Sequence, residues 1–398
     1  MTMISVETAR ETVLAGIRPV AIEVVGLAQA VGRVLAEDLA ARVSHPPVAV
    51  SAMDGYAVRS RDLGTVPAAL SVIGQSAAGA AFAGAVEAGQ AVRIFTGAAL
   101  PAGADAVVMQ EDATRDGDRV HIQAAVPAGK FVRAPGLDFT TGDVLLRAGM
   151  VMEGRGIGLA AAMNIPWLTV RRRPRIAILS TGDEIAMPGE PLGPTQIVSS
   201  NGPGLAAFVT GLGAEAVHLG IARDTRESLD AMIGAAAGCD LLVTTGGASV
   251  GDYDLVQDAL REAGLDLGFY TVAMRPGKPM MFGHLKGVPV LGLPGNPVSA
   301  MVGAVVFLQP IIRALQGLPS VTELAPARLG RDLAANDARQ DYQRASLERD
   351  ADGRFVATPF VQQDSAVLSG MVRAACLVVR PPQAPPGKAG DPVEVIVL

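Results

Sequence analysis

Apolar positions recur at helical spacing over residues 5–17 and again over 27–39, which predicts two helices near the N-terminus, the second ending near Asp38. From residue 43 to 149 the pattern changes. Short apolar runs of β type at 91–95, 106–109 and 119–122 alternate with glycine and proline turns, the mark of a compact β domain. A turn near 142–146 leads to a helix expected at 156–163. Pro174 opens a third regime. Continuous apolar runs at 175–180, 215–221, 241–243, 270–273 and 290–293 read as strands, several of them buried on both faces. Helices are expected between them at 201–212, 228–237 and 255–262, and a long one at 296–315. Ser200 or Asn201 is the expected cap of the first, and Asp224 with Glu227 has capping-box spacing before the second. Strands alternating with helices imply a mostly parallel sheet over about 140 residues. After residue 318 the chain turns β-like again, with strands at 354–357, 375–380 and 393–398. The fold class expected is a central α/β domain with a mostly parallel sheet, plus β-rich domains in a multidomain subunit. The boundaries are 1–42 with 135–173, 43–134, 174–318 and 319–398.

Composition narrows the function classes. The chain has 398 residues and a formal net charge of −6, with a mean hydropathy of +0.34. The apolar stretch 298–312 contains Gln309 and Pro310 and reads as a buried helix; no run approaches the roughly 20 residues of a membrane span. The N-terminus lacks the pattern of a signal peptide. The two cysteines, Cys239 and Cys376, sit in apolar surroundings and read as buried thiols, which fits a cytoplasmic protein. Arg171-Arg172-Arg173, the one basic cluster, reads as a solvated linker rather than a nucleic-acid patch. One tryptophan and few tyrosines leave no base-stacking platform. Neither nucleic acid nor membrane is an expected partner.

Candidate chemistry concentrates at strand ends, where open α/β sheets bind ligands. Thr244-Thr245-Gly246-Gly247-Ala248-Ser249-Val250-Gly251 follows one predicted strand, and Leu293-Pro294-Gly295-Asn296-Pro297-Val298-Ser299 follows another. Glycine-rich backbone offers N–H groups to oxyanions. Arg275 and Lys278, in Arg275-Pro276-Gly277-Lys278-Pro279, add positive charge. Asp252 and Asp254 add hard oxygen ligands suited to Mg²⁺. The four histidines are scattered without metal-ligand spacing, so carboxylates with Mg²⁺ fit better than a zinc site or a histidine-activated nucleophile. Read from residues alone, this is a site for a phosphorylated or otherwise anionic molecule with a metal ion. Taken singly, most of these residues have a plainer reading: Asp54-Gly55 as a turn, Thr96-Gly97 as a strand-end turn, Thr181 with Glu184 as a capping box, Asp224 as a helix cap.

Six motifs in order change that balance: Ser51-Ala52-Met53-Asp54-Gly55-Tyr56-Ala57, Phe95-Thr96-Gly97-Ala98, Ser180-Thr181-Gly182-Asp183-Glu184, the glycine loop 246–251, Arg275-Pro276-Gly277-Lys278-Pro279 and Pro294-Gly295-Asn296-Pro297-Val298-Ser299. Over nearly its whole length the chain resembles the molybdopterin molybdenumtransferases, the bacterial counterparts of the gephyrin E domain. The resemblance implies an elongated four-domain subunit that forms a homodimer with shared active sites, Asp54 and Thr96 coming from the partner. It implies that adenylylated molybdopterin and molybdate give molybdenum cofactor and AMP, with Mg²⁺ required. By resemblance, the catalytic set is Asp54, Thr96, Glu184, Asp224, Asp254 and Lys278, with Glu184 and Asp254 as metal ligands. Substrate contacts are expected from Asp138, Thr181, Asp183, Gly246, Gly247, Ser249, Gly251, Arg275, Pro294, Gly295 and Asn296. Molybdate is expected at Lys278, Pro279, Ser299, Arg344 and Ser365, with Arg339 close enough in sequence to compete with Arg344. A transient contact with the molybdopterin adenylyltransferase is a further implied partner. The rival readings are that adenylyltransferase itself, which shares the α/β domain, and a receptor-anchoring scaffold. No residue separates molybdate from tungstate.

Overall fold

The computed structural model describes residues 3–246 and 255–398. The chain divides into two compact units, one made of Met1–Glu23 with Arg171–Leu398, the other of Val24–Val170.

The first unit is built on a six-stranded sheet in the order Glu215–Ala222, Arg175–Thr181, Leu241–Thr245, Val288–Leu293, Pro279–Leu285, Leu265–Thr271. The first four strands run parallel, and Pro279–Leu285 runs antiparallel to both its neighbours. Ile176 and Ile178 face one side with Leu241, Leu291 and Val209, while Ala177 and Leu179 face the other with Leu229, Leu242 and Leu260. A strand covered on both faces needs apolar residues at every position, which is why 175–180 and 241–243 carry no polar alternation. The antiparallel end is set by Lys286-Gly287, a two-residue hairpin with φ of 50° and 84°; two positive φ values match the twist of the flanking strands.

The helix expected at 296–315 begins as α-helix at Pro297–Gly303, passes through a π-helical turn at Ala304–Leu308 and returns to α-helix at Gln309–Leu315. Pro310 has no N–H to donate backwards, and a wider turn before it accommodates the missing bond. Residues Pro297–Leu315 are long and apolar enough to cross a bilayer, yet 78% of the relevant window is buried within the protein. The Arg171–Arg173 triplet is not a free linker. Arg172 donates to both carboxylate oxygens of Asp240, at 2.8 and 2.5 Å, and Arg171 donates to Val20 O.

Near the C-terminus five strands close into a barrel: Gln340–Arg349, Phe355–Pro359, Ala325–Leu329, Pro392–Val397, Cys376–Arg380, and back to the first. Ala345, Ala357, Cys376, Val378 and Val395 fill it. Both cysteines are buried and free, and burial pushes the Cys376 thiol up to about 11. Met274–Arg275 adds a short parallel pairing onto Gln340 and Asp341 of the barrel.

The second unit holds a six-stranded sheet in the order Ala106–Met109, Gly55–Val58, Gln90–Ile94, Ala68–Ser76, Arg119–Ile122, Ala113–Asp116. A separate core of Leu35, Leu39, Met152, Met163 and Leu168 lies with the helix Gly154–Ala162. The helix expected at 27–39 does not form. Only Leu27–Ala30 makes a 3₁₀ turn. Gly32 at φ 73° breaks the helical path, and Val34 and Leu35 then bridge Val151 and Val170. β-branched valines and a left-handed glycine favour this extended course over a helix.

Candidate functional site

Three parallel strands of the first unit, Arg175–Thr181, Leu241–Thr245 and Val288–Leu293, end on one side of the sheet and open a cleft of about 540 Å³. Ser180, Thr181, Glu184, Asn201, Thr245, Gly246, Pro279, Pro294, Gly295 and Asn296 are among its lining. The strand ends approach each other through backbone. Gly246 has φ 94°, and a Cβ there would come within 2.4 Å of Thr181 O. Gly295 stands over Gly246, its Cβ position 3.6 Å from the Gly246 Cα. Only glycine at 246 permits both the left-handed turn and that approach.

Asn201 ties the strand ends together. Its Nδ2 donates to Thr245 Oγ1 and to Gly295 O, each at 2.8 Å, while Thr245 Oγ1 donates to Pro294 O at 3.2 Å. The sequence suggested a cap for Asn201. Instead it is the first residue of Asn201–Gly211, Ser200 precedes it without a side-chain capping bond, and the amide serves the cleft. Asn201 and Ser180 were not among the expected site residues; Ser180 opens one of the six motifs, and for Asn201 the only signal was a polar pair, Ser200-Asn201, opening an apolar helix.

Several polar groups of the cleft have no protein partner among the described residues. Ser180 Oγ and Thr181 Oγ1 are buried and make no hydrogen bond, as does Thr244 Oγ1 behind them. A buried hydroxyl left unpaired costs on the order of 1–3 kcal/mol. Thr181 opens no helix, since the chain continues to a short strand at Ile185–Ala186, so the capping-box reading of Thr181 with Glu184 fails. The Glu184 carboxylate folds back over Gly182, whose Cβ position lies 2.4 Å from Oε2. It has no hydrogen-bond partner among the described residues. Asp183 Oδ1 accepts from Asp224 N at 3.2 Å. The following helix Arg226–Ala235 is capped by Thr225, whose side chain accepts from Ser228 N, so Asp224 is not the cap and its carboxylate is exposed.

The basic residues divide. Lys278 is exposed and its ammonium has no partner among the described residues. Arg275 is engaged: its guanidinium donates to Asp341 Oδ2 at 2.8 Å, Asn336 Oδ1 at 3.1 Å and Asp337 Oδ2 at 3.2 Å. Arg339 pairs with Asp337 at 2.7 Å, and that bond brings the Asp337 carboxyl down to about 2. Arg344 is 1% exposed and donates to the carbonyls of Gln362, Asp364 and Val367. Of the two competing arginines, Arg344 is the one bonded to the loop that carries Ser365. That serine meets the cleft: Asn296 Nδ2 donates to Ser365 Oγ at 3.1 Å. Ser299 is buried in the helix Pro297–Gly303. Gly247, Ser249, Gly251, Asp252 and Asp254 lie outside the described residues.

In the second unit Asp54 and Thr96 are brought together. Asp54 Oδ1 accepts from Thr96 N at 2.7 Å and from Thr96 Oγ1 at 2.8 Å. These bonds, the backbone one first, with Arg93 nearby, hold the Asp54 carboxyl below the usual carboxylate range. Arg93 donates to Gly55 O and Gln110 Oε1 and lies over the rings of Tyr56 and Phe95. A Cβ at Gly55 would fall 1.8 Å from Val108 O, so this glycine is required by strand packing. Asp138 lines a cavity with His45, Arg133 and Gly97.

Three family models cover the chain in order: the MoeA N-terminal region (domain I and II) over residues 4–164, a probable molybdopterin binding domain over 177–314, and the MoeA C-terminal region (domain IV) over 326–398. A molybdopterin molybdenumtransferase of Haemophilus influenzae is 34% identical over 402 residues, covering 99% of this chain and 98% of that protein. One from Nostoc sp. is 40% identical over 335 residues, covering 82% and 77%. The chain belongs to the molybdopterin molybdenumtransferase family. A crystal structure of a molybdopterin biosynthesis MoeA protein from Pyrococcus horikosii matches it with a TM-score of 0.86 at 32% identity, covering 100% of this chain and 99% of that one.

The family assignment makes the chain a transferase. No group of three or more histidine, cysteine, aspartate or glutamate side chains is placed to hold a metal among the described residues. A molybdenumtransferase whose Mg²⁺ is shared with substrate phosphates needs no such cage, because Mg²⁺ commonly takes one or two carboxylates and completes its shell with phosphate oxygens and water. Glu184, a carboxylate on the cleft wall without a partner among the described residues, fits that requirement.

Proposed function

We propose that this chain inserts molybdenum into molybdopterin, using the adenylylated form of the pterin and molybdate as substrates and releasing AMP. The observation that carries the reading is the set of unpaired groups at the strand ends, Ser180 Oγ, Thr181 Oγ1 and the Glu184 carboxylate, in a chain of this family. Groups that find no partner in the protein are available to a ligand, and oxygen donors with glycine-flanked backbone suit a phosphorylated one.

The strand-end backbone at Gly246 and Pro294-Gly295-Asn296 holds the pterin and its phosphate, with Thr181 and Asp183 beside it. Glu184, with Asp254 and Asp224, would hold Mg²⁺, which when bound neutralises charge on the anhydride phosphates. Lys278, with Pro279, Ser299 and Ser365, gathers molybdate; a compact ammonium suits a tetrahedral oxyanion. An oxygen of molybdate attacks the adenylate phosphorus; the anhydride P–O bond breaks with its bridging oxygen left on the pterin phosphate, and AMP leaves with the attacking oxygen as the Mo–O bond breaks and a dithiolene sulfur takes its place on molybdenum. Where water attacks instead, AMP carries the water oxygen and molybdenum sheds an oxygen as water when the dithiolene thiols bind. Little of this asks for a protein nucleophile, since positioning and charge stabilisation dominate such transfers. Asp54 and Thr96 complete the site from a second copy of the chain in a homodimer, and the supporting observation is that Asp54 is held rigidly in its ionised form. The reading is of a cytoplasmic enzyme that receives its substrate from the adenylyltransferase by transient contact.

The test is to mix purified protein with adenylylated molybdopterin and Mg²⁺ and to follow AMP with and without molybdate. Molybdate-dependent AMP release is expected. Consumption of ATP with no dependence on molybdate would instead make the chain an adenylyltransferase.

A further inference from the structure

Ser365 lies in the segment between the strand Phe355–Pro359 and the helix Leu368–Val372. Nothing in its own sequence, Gln362-Gln363-Asp364-Ser365-Ala366, dictates one conformation. The segment is instead wound around Arg344. The guanidinium donates to Val367 O at 2.9 Å, Asp364 O at 2.9 Å and Gln362 O at 3.3 Å. Gln363 completes the enclosure with its side-chain amide. Its Oε1 accepts from Arg344 N at 3.0 Å and Nε at 3.4 Å, and its Nε2 donates to Arg344 O and Phe360 O, both at 2.9 Å. Space for the guanidinium depends on Gly370, where a Cβ would sit 3.0 Å from the Arg344 Nη1.

This enclosure has a consequence at the cleft. Asn296 occupies the N-cap position of Pro297–Gly303 but makes no side-chain capping bond. The Ser365 carbonyl takes its place, accepting from Val298 N at 3.1 Å, and Ser365 Oγ accepts from the Asn296 amide. The segment therefore caps the helix from outside and fixes Asn296, which lines the cleft together with Ala366. A chain of contacts runs from Gln363 through Arg344 to the backbone on either side of Ser365, and from Ser365 to Asn296.

We propose that Gln363 is a positioning residue of the cleft: through Arg344 it fixes Ser365 against Asn296 and Val298, and Arg344 acts by holding this segment rather than by touching the anion. All acceptors on Arg344 are neutral amide oxygens. They keep the guanidinium charge while fixing its direction, and no other side chain in the segment bonds to both the N–H and the carbonyl of Arg344. The inference rests on the proposed reaction only for its catalytic readout.

The experiment has two arms on the full chain. Hydrogen–deuterium exchange compares Gln363→Ala with wild type; the segments 360–368 and 294–300 should exchange faster, with residues 55–122 unchanged. No change at 294–300 overturns the proposal whatever the reaction proves to be. The second arm measures AMP release against molybdate for Gln363→Ala, Ser365→Ala and the double variant. Half-saturating molybdate should rise about 10-fold in each single variant, and the double should match Ser365→Ala alone, because residues in one contact chain are not additive. Multiplying effects would overturn the proposal, since Gln363 would then act apart from Ser365. Gln363→Glu keeps the acceptor for Arg344 and loses both donations, so it should fall between wild type and Gln363→Ala in both arms; it stands in if Gln363→Ala does not fold. A wild type without molybdate-dependent AMP release would sink the reaction reading, while the exchange arm still decides the contact chain.

Discussion

Ser180, Thr181 and Glu184 line a cleft without hydrogen-bond partners among the described residues, whereas Asp54 in the other unit takes two hydrogen bonds from a single threonine. Both regions are built from turns at strand ends and both carry carboxylates. They differ in what they leave undone. The cleft keeps the Ser180 and Thr181 hydroxyls buried and unpaired among the described residues, which lowers stability and leaves binding capacity. The Asp54 turn satisfies itself, which fixes a negative charge in one place and leaves little freedom to reorganise. In a transferase of this family the first arrangement suits a surface that a substrate completes, and the second suits a rigid charged element presented to something else.

The largest expected effect in this comparison is at Glu184. Glu184→Gln should lower AMP release by about 100-fold or more, on the scale of losing a charge that stabilises the transition state. Its melting temperature should stay at the wild-type value, because the carboxylate has no protein partner to lose. Near-normal turnover would show that the unpaired carboxylate is not part of the chemistry.

Lys278→Ala should act on one substrate. Removing an unpartnered ammonium near an oxyanion is worth about 10-fold in half-saturating molybdate, with the concentration of adenylylated molybdopterin needed for half-rate unchanged. An equal loss for both substrates would move Lys278 to the pterin phosphate.

Thr181→Val tests the cost of an unpaired hydroxyl. The replacement keeps the β-branched shape and removes a buried group with no partner, so the protein should become more stable by about 0.5–1 kcal/mol while turnover falls. Denaturant unfolding and the AMP assay read the two sides. A loss of stability would mean that Thr181 Oγ1 has a partner in solution.

The smallest effect is at the saturated region. Thr96→Val removes the hydroxyl donor to Asp54 but keeps the backbone one, the larger cause of the lowered carboxyl. The Asp54 pKa should rise only part of the way to its ordinary value, as read by carboxyl carbon chemical shifts. A carboxyl lowered in the folded protein contributes stability that is present above its unfolded pKa of about 3.9 and is lost as pH falls through the folded value. The variant should therefore lose a small part of that contribution above pH 4 and converge with wild type in stronger acid.

The two regions were not equally legible in the sequence. Strands at 175–180 and 241–243 were visible because burial on both faces writes a continuous apolar run. The strand Gln340–Arg349 was not, because its buried positions include Asp341 on one face and Arg344 on the other, polar groups that break any apolar alternation. Residues 27–39 looked helical by spacing, but Gly32 and long-range bridges to Val151 and Val170 decided otherwise. At the site, residue types were readable and their tasks were not. Arg275 and Arg344 were both taken as anion contacts. The acceptors that engage them, Asp341, Asn336 and the 362–367 carbonyls, sit tens of residues away in sequence and belong to the barrel region. Asn201 and Asp224 were read as caps because local spacing favours that reading. Thr225 is the cap that forms, and Asn201 is the tie across the strand ends.

The central claim is that one site needs both regions, the open cleft from one subunit and the Asp54 turn from another. Mixed dimers of Asp54→Ala and Glu184→Gln subunits test it directly. Each variant alone should be nearly inactive, and a mixture allowed to exchange subunits should regain roughly a quarter of wild-type activity, because half the dimers are mixed and one of their two sites is intact. No recovery, with exchange of subunits demonstrated independently, would contradict the account and return Asp54 to a role within its own chain.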